Sequence, residues 1–274
     1  MKTWFVTGAS SGLGLGMARK LVARGDRVIA SARSHSALDE LKTAAGDRLQ
    51  FARFDVTDTT AMRREVGAAF AANERIDVVV SNAGYGLFGA AEEVSDAQIE
   101  RQIATNLLGS IQFIRAVVPH LRAQGGGRIV QVSSEGGQVA YPNFSLYHAT
   151  KWGIEGFVEG IAQEVAPFGI DFVIAQPGPT ATNFGAGLDR AQPMDIYDAT
   201  PAGDVRRAIA DGSFEIKGDA GRTVDAMIAA ADAARPDRRV ALGSAAFENI
   251  DRALSERLRV LRAQRDVAYS ADRS

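Results

Sequence analysis

The chain has 274 residues, 46% of them hydrophobic, with a formal net charge of -2 and no cysteine. That charge leaves no electrostatic footprint for nucleic acid or an anionic membrane, and the missing thiols exclude a disulfide framework, cysteine nucleophiles and cysteine-ligated metal. No apolar run approaches the roughly 20 residues of a membrane helix, and Met1-Lys2-Thr3-Trp4 does not begin a secretory leader, so a soluble cytoplasmic protein without a metal centre is expected.

In chain order, residues 4–7 read as a strand and 13–24 as a helix stopped by Gly25-Asp26. A strand over 27–31, a helix over 36–45, a strand over 49–54 and a helix over 59–72 follow. Residues 76–81 are nearly all apolar, as a strand covered on both faces requires. A long helix over 96–122 breaks at Gly125-Gly126-Gly127, before a strand at 128–132, a helix at 145–165 and a strand at 170–175. Beyond Pro177 the rhythm changes. Residues 178–218 are rich in Gly, Pro, Ala and Asp and read as loops and short helices, followed by a helix at 221–234 and a strand at 239–242.

The last helix, 247–264, sets Ile250, Leu254, Leu258 and Leu261 on one face, with Arg252, Arg257, Arg259, Arg262 and Arg265 as a solvated face opposite. Strand–helix alternation at this spacing predicts right-handed βαβ units and a parallel sheet. The expected fold class is α/β, a doubly wound sheet in one domain over 1–274.

Three glycines, Gly8, Gly12 and Gly14, punctuate the turn from the first strand into the first helix. They permit close approach of a pyrophosphate to the backbone, at a helix start whose free N–H groups favour anions. Ser10, Ser11 and Leu13 share that loop. A carboxylate ending the second strand would select NAD(H); here the strand runs into Ala32-Arg33-Ser34. Arg33 and Ser34 suit a ribose 2′-phosphate, so NADP(H) is favoured over NAD(H). Asp55 and Val56 end the third strand, where the carboxylate can accept from an adenine amino group or cap the next helix. Asn82, Ala83 and Gly84 end the fourth: small residues admit a ribose, and the Asn can tie strand ends together.

Tyr147 and Lys151 stand at i and i+4, on one face of a helix. A nearby ammonium favours the phenolate, and a tuned tyrosine can give a proton to a carbonyl or take one from an alcohol. Lys151 can also donate to nicotinamide ribose hydroxyls. Ser134 ends the fifth strand, where its hydroxyl can stabilise a developing alkoxide; Ser133 is read as structural. Asn106 interrupts an apolar stripe and needs a partner, for which a water relaying protons to Lys151 is one candidate. Pro177, Gly178, Thr180 and Thr182 follow the sixth strand and can hold a nicotinamide carboxamide.

This ordered set resembles the short-chain dehydrogenase/reductase family, in its branch with a T-G-x-x-x-G-x-G loop, here Thr7 to Gly14. The resemblance implies seven strands in the order 3-2-1-4-5-6-7, a catalytic set of Asn106, Ser134, Tyr147 and Lys151, and a homodimer or homotetramer packed through the fourth and fifth helices. It implies hydride transfer between the dinucleotide and a small-molecule carbonyl or secondary alcohol; a non-enzymatic NADP(H)-binding sensor or scaffold is the alternative. The substrate lid is placed at about 184–218. Phe184, Leu188, Met194, Ile196 and Tyr197 could line an apolar pocket opposite Tyr141, Pro142, Asn143 and Phe144. Glu135 could face substrate or solvent, His148 is read as structural or a pocket wall, and His35 and His120 as surface groups.

Overall fold

The computed structural model describes residues 1–34 and 36–273; His35 lies outside them. Seven strands, β1 (Thr3–Thr7), β2 (Arg27–Ser31), β3 (Leu49–Ala52), β4 (Val78–Ser81), β5 (Gly127–Val132), β6 (Ile170–Pro177) and β7 (Arg239–Leu242), form one sheet in the order 3-2-1-4-5-6-7. Every neighbouring pair is parallel. Fold class and strand order are as expected.

Side chains alternate across a strand, so a sheet covered on both faces buries every residue. Trp4 and Val6 point to a layer with Met17, Leu21, Val224 and Met227, which come from α1 (Gly12–Ala23) and a later helix. Phe5, between them, points to the other layer, with Met62, Val66, Phe113, Ile154 and Val158.

The helices are α1, α2 (Asp39–Ala45), α3 (Thr59–Ala72), α4 (residues 96–123), α5 (Ser145–Val165), α6 (Pro201–Ala210), α7 (Ala220–Asp232), α8 (Ser244–Ala263) and the short α9 (Arg265–Tyr269). A capping box between Ser95 and Gln98 starts α4. Its middle, Ile103–Gly109, is π-helical, which the periodicity does not announce. Among the described residues no helix is long and apolar enough to cross a membrane.

Two expectations change. The segment after Pro177 is more ordered than a run of loops: Thr180–Ala181 pairs with Gly218–Asp219, and Leu87–Phe88 with Asp189–Arg190. In α8 only Ala246 and Ile250 are buried. Leu254, Leu258 and Leu261 are exposed, because past Ile250 the helix leaves the sheet's edge and reaches back through the Arg257 side chain, to Gln138 and the Trp152 ring.

Candidate active site

Strand order reverses between β1 and β4, so the loops leaving their carboxyl ends part and open a crevice. The Gly-rich turn forms one wall. Gly8 has a φ of 65°, which favours glycine. A Cβ on Gly14 would stand 2.3 Å from the Gly8 carbonyl oxygen, so this turn closes only without a side chain there. Ser11 caps α1 with extended backbone and no side-chain hydrogen bond. The N–H groups of the first turn, at Gly12, Leu13 and Gly14, therefore have no side-chain cap and face the crevice end of the helix dipole. Ser10, half-buried, leads into them.

Asn82 ties the two strand ends together. Its Nδ2 donates to the carbonyls of Thr7 (2.9 Å) and Gly8 (3.3 Å), while its own N–H and that of Ala83 donate to the Thr7 hydroxyl at 2.9 and 3.2 Å. Gly84 packs against the Asn106 amide, which a Cβ would approach to 3.1 Å.

At the outer end of the crevice the Arg33 side chain is 84% exposed, with Nη1 4.0 Å from the Asp55 carboxylate. Ser34 is exposed beside it. Arg53, which the sequence reading passed over, donates from Nε to the Arg33 carbonyl at 3.2 Å and puts a second guanidinium at this edge. Asp55 accepts from the N–H and hydroxyl of Thr57. It does not cap α3; Asp58 does, accepting from the Ala61 N–H at 2.9 Å, because it sits immediately before the first turn. Val56 instead packs on Gly109. A glycine-only cradle at an uncapped helix start, with a solvent-facing guanidinium beyond the second strand, fits a phosphorylated dinucleotide.

At the other end, Thr180 donates from Oγ1 to the Gly178 carbonyl at 2.8 Å, and Thr182 Oγ1 accepts from the Phe184 N–H at 3.2 Å. The Gly178 N–H donates to the Leu242 carbonyl at 3.1 Å, so of the backbone groups expected to hold a carboxamide this one is already engaged. Pairing of β6 with β7 runs to Pro177 and engages the next N–H as well.

Ser134, Tyr147 and Lys151 converge. The Ser134 hydroxyl accepts from the Gly136 N–H at 3.1 Å and lies 3.5 Å from the Pro177 carbonyl; it is also near enough to the Tyr147 phenol to act against the rise in its pKa. Lys151 Nζ sits 5.5 Å from the centre of the Tyr147 ring and donates to the Val132 carbonyl at 3.0 Å.

Burial pushes the Tyr147 phenol up to about 12, against the Ser134 hydrogen bond and with the Glu135 charge adding to it. The lowering expected from the ammonium does not show: desolvation of the phenolate sets the direction. Burial also brings Lys151 down to about 8, opposed by the negative Glu155.

Glu155, one turn beyond Lys151 on α5, is a buried carboxylate that the sequence reading missed. It accepts from the Ser133 hydroxyl at 2.6 Å, from Gln176 at 2.9 and 3.0 Å, and from Arg239. An unpaired charge there would cost several kcal/mol, and these donors offset that cost. Its signal was a carboxylate at i+4 from Lys151 on the apolar face of α5. Ser133 is structural, as read.

Asn106 lies in the π-helical turn, buried, and grips one peptide unit: Oδ1 accepts from the Tyr85 N–H at 3.1 Å and Nδ2 donates to the Tyr85 carbonyl at 2.8 Å. Among the described residues no hydrogen bond joins it to Lys151. Its buried amide finds its complement in the backbone that follows Gly84.

Around the phenol, Phe184 and Phe144 meet the Tyr147 ring edge-on at 5.7 and 6.1 Å, and Leu188 and Phe184 close on Gly86. Ile196 is 74% exposed and Met194 faces solvent; Tyr197 turns its hydroxyl to Glu92 at 2.6 Å. Asn143 donates to the Ala202 carbonyl at 2.8 Å, fastening α6 down. Glu135 does not face solvent. It is buried and accepts from Tyr141 at 2.9 Å and Asn249 at 3.3 Å. His148 is buried, accepts from the Tyr141 N–H at 3.3 Å, and is pushed down to about 4 by burial. His120 is half-buried against Phe70, their ring centres 4.7 Å apart.

The chain matches the short chain dehydrogenase family over residues 2–193. It is 39% identical over 201 residues to oxidoreductase BOA17 of Botryotinia fuckeliana, covering 73% of each chain. Among solved structures, a short-chain dehydrogenase from Streptomyces avermitilis superimposes with a TM-score of 0.91 at 35% identity, over 99% of this chain and 100% of that one. A short chain dehydrogenase from Burkholderia cenocepacia J2315 in complex with NADP gives a TM-score of 0.75 at 25% identity, over 96% and 98%.

Proposed function

The chain belongs to the short-chain dehydrogenase/reductase family, and on that footing we propose that it is an NADP(H)-dependent oxidoreductase interconverting a carbonyl and a secondary alcohol, with Tyr147 as general acid/base. When bound, the dinucleotide supplies the hydride donor in one direction and its acceptor in the other. Gly8, Ser10, Ser11, Gly12, Leu13 and Gly14 would hold its phosphates, Arg33 and Ser34 the 2′-phosphate, Asp55 and Val56 the adenine. Asn82, Ala83, Gly84 and Lys151 would hold the riboses, and Pro177, Thr180 and Thr182 the carboxamide end. The Burkholderia relative in complex with NADP supports this choice of cofactor.

The observation that carries the reading is the buried Tyr147 phenol with the Ser134 hydroxyl near it and Lys151 behind its ring. A phenol raised to about 12 keeps its proton at neutral pH and can pass it from Oη to a carbonyl oxygen. Ser134 then hydrogen-bonds the same oxygen as charge develops on it. Lys151, at about 8, remains an ammonium at pH 7 and favours the phenolate left behind. Asn106 holds the Tyr85 peptide that borders the site. Phe144, Phe184 and Leu188 make the surroundings apolar, which suits a bulky, mostly apolar ketone and excludes water.

The same reading takes residues 1–274 as one domain with a lid at about 184–218, in the cytoplasm. It includes a homodimer or homotetramer joined through α4 and α5, whose outer faces present Leu108 and Trp152. The test is to mix the protein with NADPH or NADH and a panel of apolar ketones and follow cofactor absorbance. NADPH should be consumed, faster than NADH. No consumption with any ketone, and no reduction of NADP+ by the matching alcohols, would remove the proposal.

A further inference from the structure

We propose that α8 pairs antiparallel with α8 of a second copy of this chain, forming an interface separate from α4 and α5. Helix α8 is anchored by one face only. Ala246 and Ile250 are buried, Asn249 donates to Tyr141 at 3.0 Å, and Arg257 donates to the Gln138 carbonyl at 2.6 Å while its guanidinium lies 4.9 Å from the centre of the Trp152 ring. At about 100° per residue, Phe247, Leu254, Leu258 and Leu261 fall on an adjoining stripe, roughly a quarter turn away. They are 66, 46, 45 and 65% exposed. Aligned apolar side chains with no cover mark an interaction surface, and their 7-4-3 spacing is that of a coiled-coil seam.

The charges beside the stripe identify the occupant. Glu248 and Asp251 flank its first half and Arg262 its second, with Arg265 following at the start of α9. Among the described residues Glu248, Asp251, Arg262 and Arg265 form no ion pair, whereas on the far side of the helix Arg259 pairs with Glu256 at 2.6 Å. In a parallel pair each flanking charge would meet its own sign. In an antiparallel pair with Leu254 of one copy level with Leu258 of the other, Asp251 comes within one residue of Arg262, and Glu248 of Arg265. The two-fold axis repeats both contacts, as a closed, self-complementary interface requires. Since Asn249 and Arg257 hold the loop after Ser134, the pairing braces the active-site rim of both copies.

The experiment is sedimentation equilibrium on the full chain. Leu258→Glu combined with Leu261→Glu should halve the assembly mass: dimer to monomer, or tetramer to dimer where α4 and α5 also pair. Circular dichroism should be unchanged, since both side chains are exposed. Asp251→Arg and Arg262→Asp should each raise the dissociation constant roughly tenfold or more, and together restore it. An unchanged mass in the leucine variant overturns the proposal without touching the α4/α5 reading, which Leu108→Glu tests separately. Failure of the double charge reversal to restore association overturns the antiparallel register. Wild-type protein that is monomeric and binds phosphatidylserine vesicles through these leucines would assign the face to lipid instead.

Discussion

The carboxyl ends of the sheet and the rim beyond Pro177 solve different physical problems with the same chain. At the sheet ends polar groups are buried and matched: Asn82 against the backbone of Thr7 and Gly8, Glu155 against Ser133, Gln176 and Arg239, Lys151 against Val132. On the rim, large apolar side chains such as Ile196, Phe214 and Ile216 stand in solvent, and the chain is held by two-residue pairings. Charge-handling groups sit where a displaced partner leaves a buried polar atom unpaired, which is costly. Surfaces that choose substrate or partner sit where change costs little.

If that contrast is right, the largest effect should come from the inner layer. Phe5 is fully buried, edge-on to Phe113 and Phe54 at 5.4 and 6.5 Å. Phe5→Ala should lower stability by about 3–5 kcal/mol in urea unfolding; a loss under about 1 kcal/mol would mean the layer is loosely packed.

Next in size is the outer end of the crevice. Arg33→Ala should weaken NADPH binding roughly ten- to hundredfold in a fluorescence titration, as loss of a charge-assisted hydrogen bond does, and leave NADH binding nearly unchanged. Equal losses for both would show that Arg33 does not read the phosphate.

His148 sharpens the comparison through pH. Burial brings it from 6.5 down to about 4, so between those values the unfolded chain binds a proton that the folded one refuses. The stability it contributes is complete above pH 6.5 and lost as pH falls toward 4, on the order of 1–3 kcal/mol. In His148→Gln that part of the acid slope should disappear from the unfolding curves. An identical slope would place the imidazole in water.

The smallest effect is expected on the rim. Ile196→Ala, at a 74% exposed position, should shift stability by less than about 0.5 kcal/mol. A larger loss would show that the lid packs on something in solution.

The same contrast decides what could be read from the chain. Strands β1, β4 and β6 declare themselves because a sheet covered on both faces demands mostly apolar runs, and Tyr147 with Lys151 because helical spacing puts them on one side. The tilt of the phenol's acidity was not legible, since desolvation depends on packing from Phe144 and Phe184, neither of which covers Tyr147 by any sequence rule. Nor was the partner of Asn106: an interrupted apolar stripe says that an amide needs a complement, not that Tyr85's peptide supplies it. The leucines of α8 show the limit most plainly. Periodicity says that a face is apolar but not what covers it, and here most of the stripe stands exposed.

The account rests on the Tyr147 phenol handling the proton of the reaction. Its most direct test is Tyr147→Phe, assayed for NADPH affinity by titration and for ketone turnover in the same preparation. Affinity should stay within a fewfold of wild type while kcat falls about 10²–10⁴-fold. Turnover that survives the loss of the hydroxyl would contradict the account.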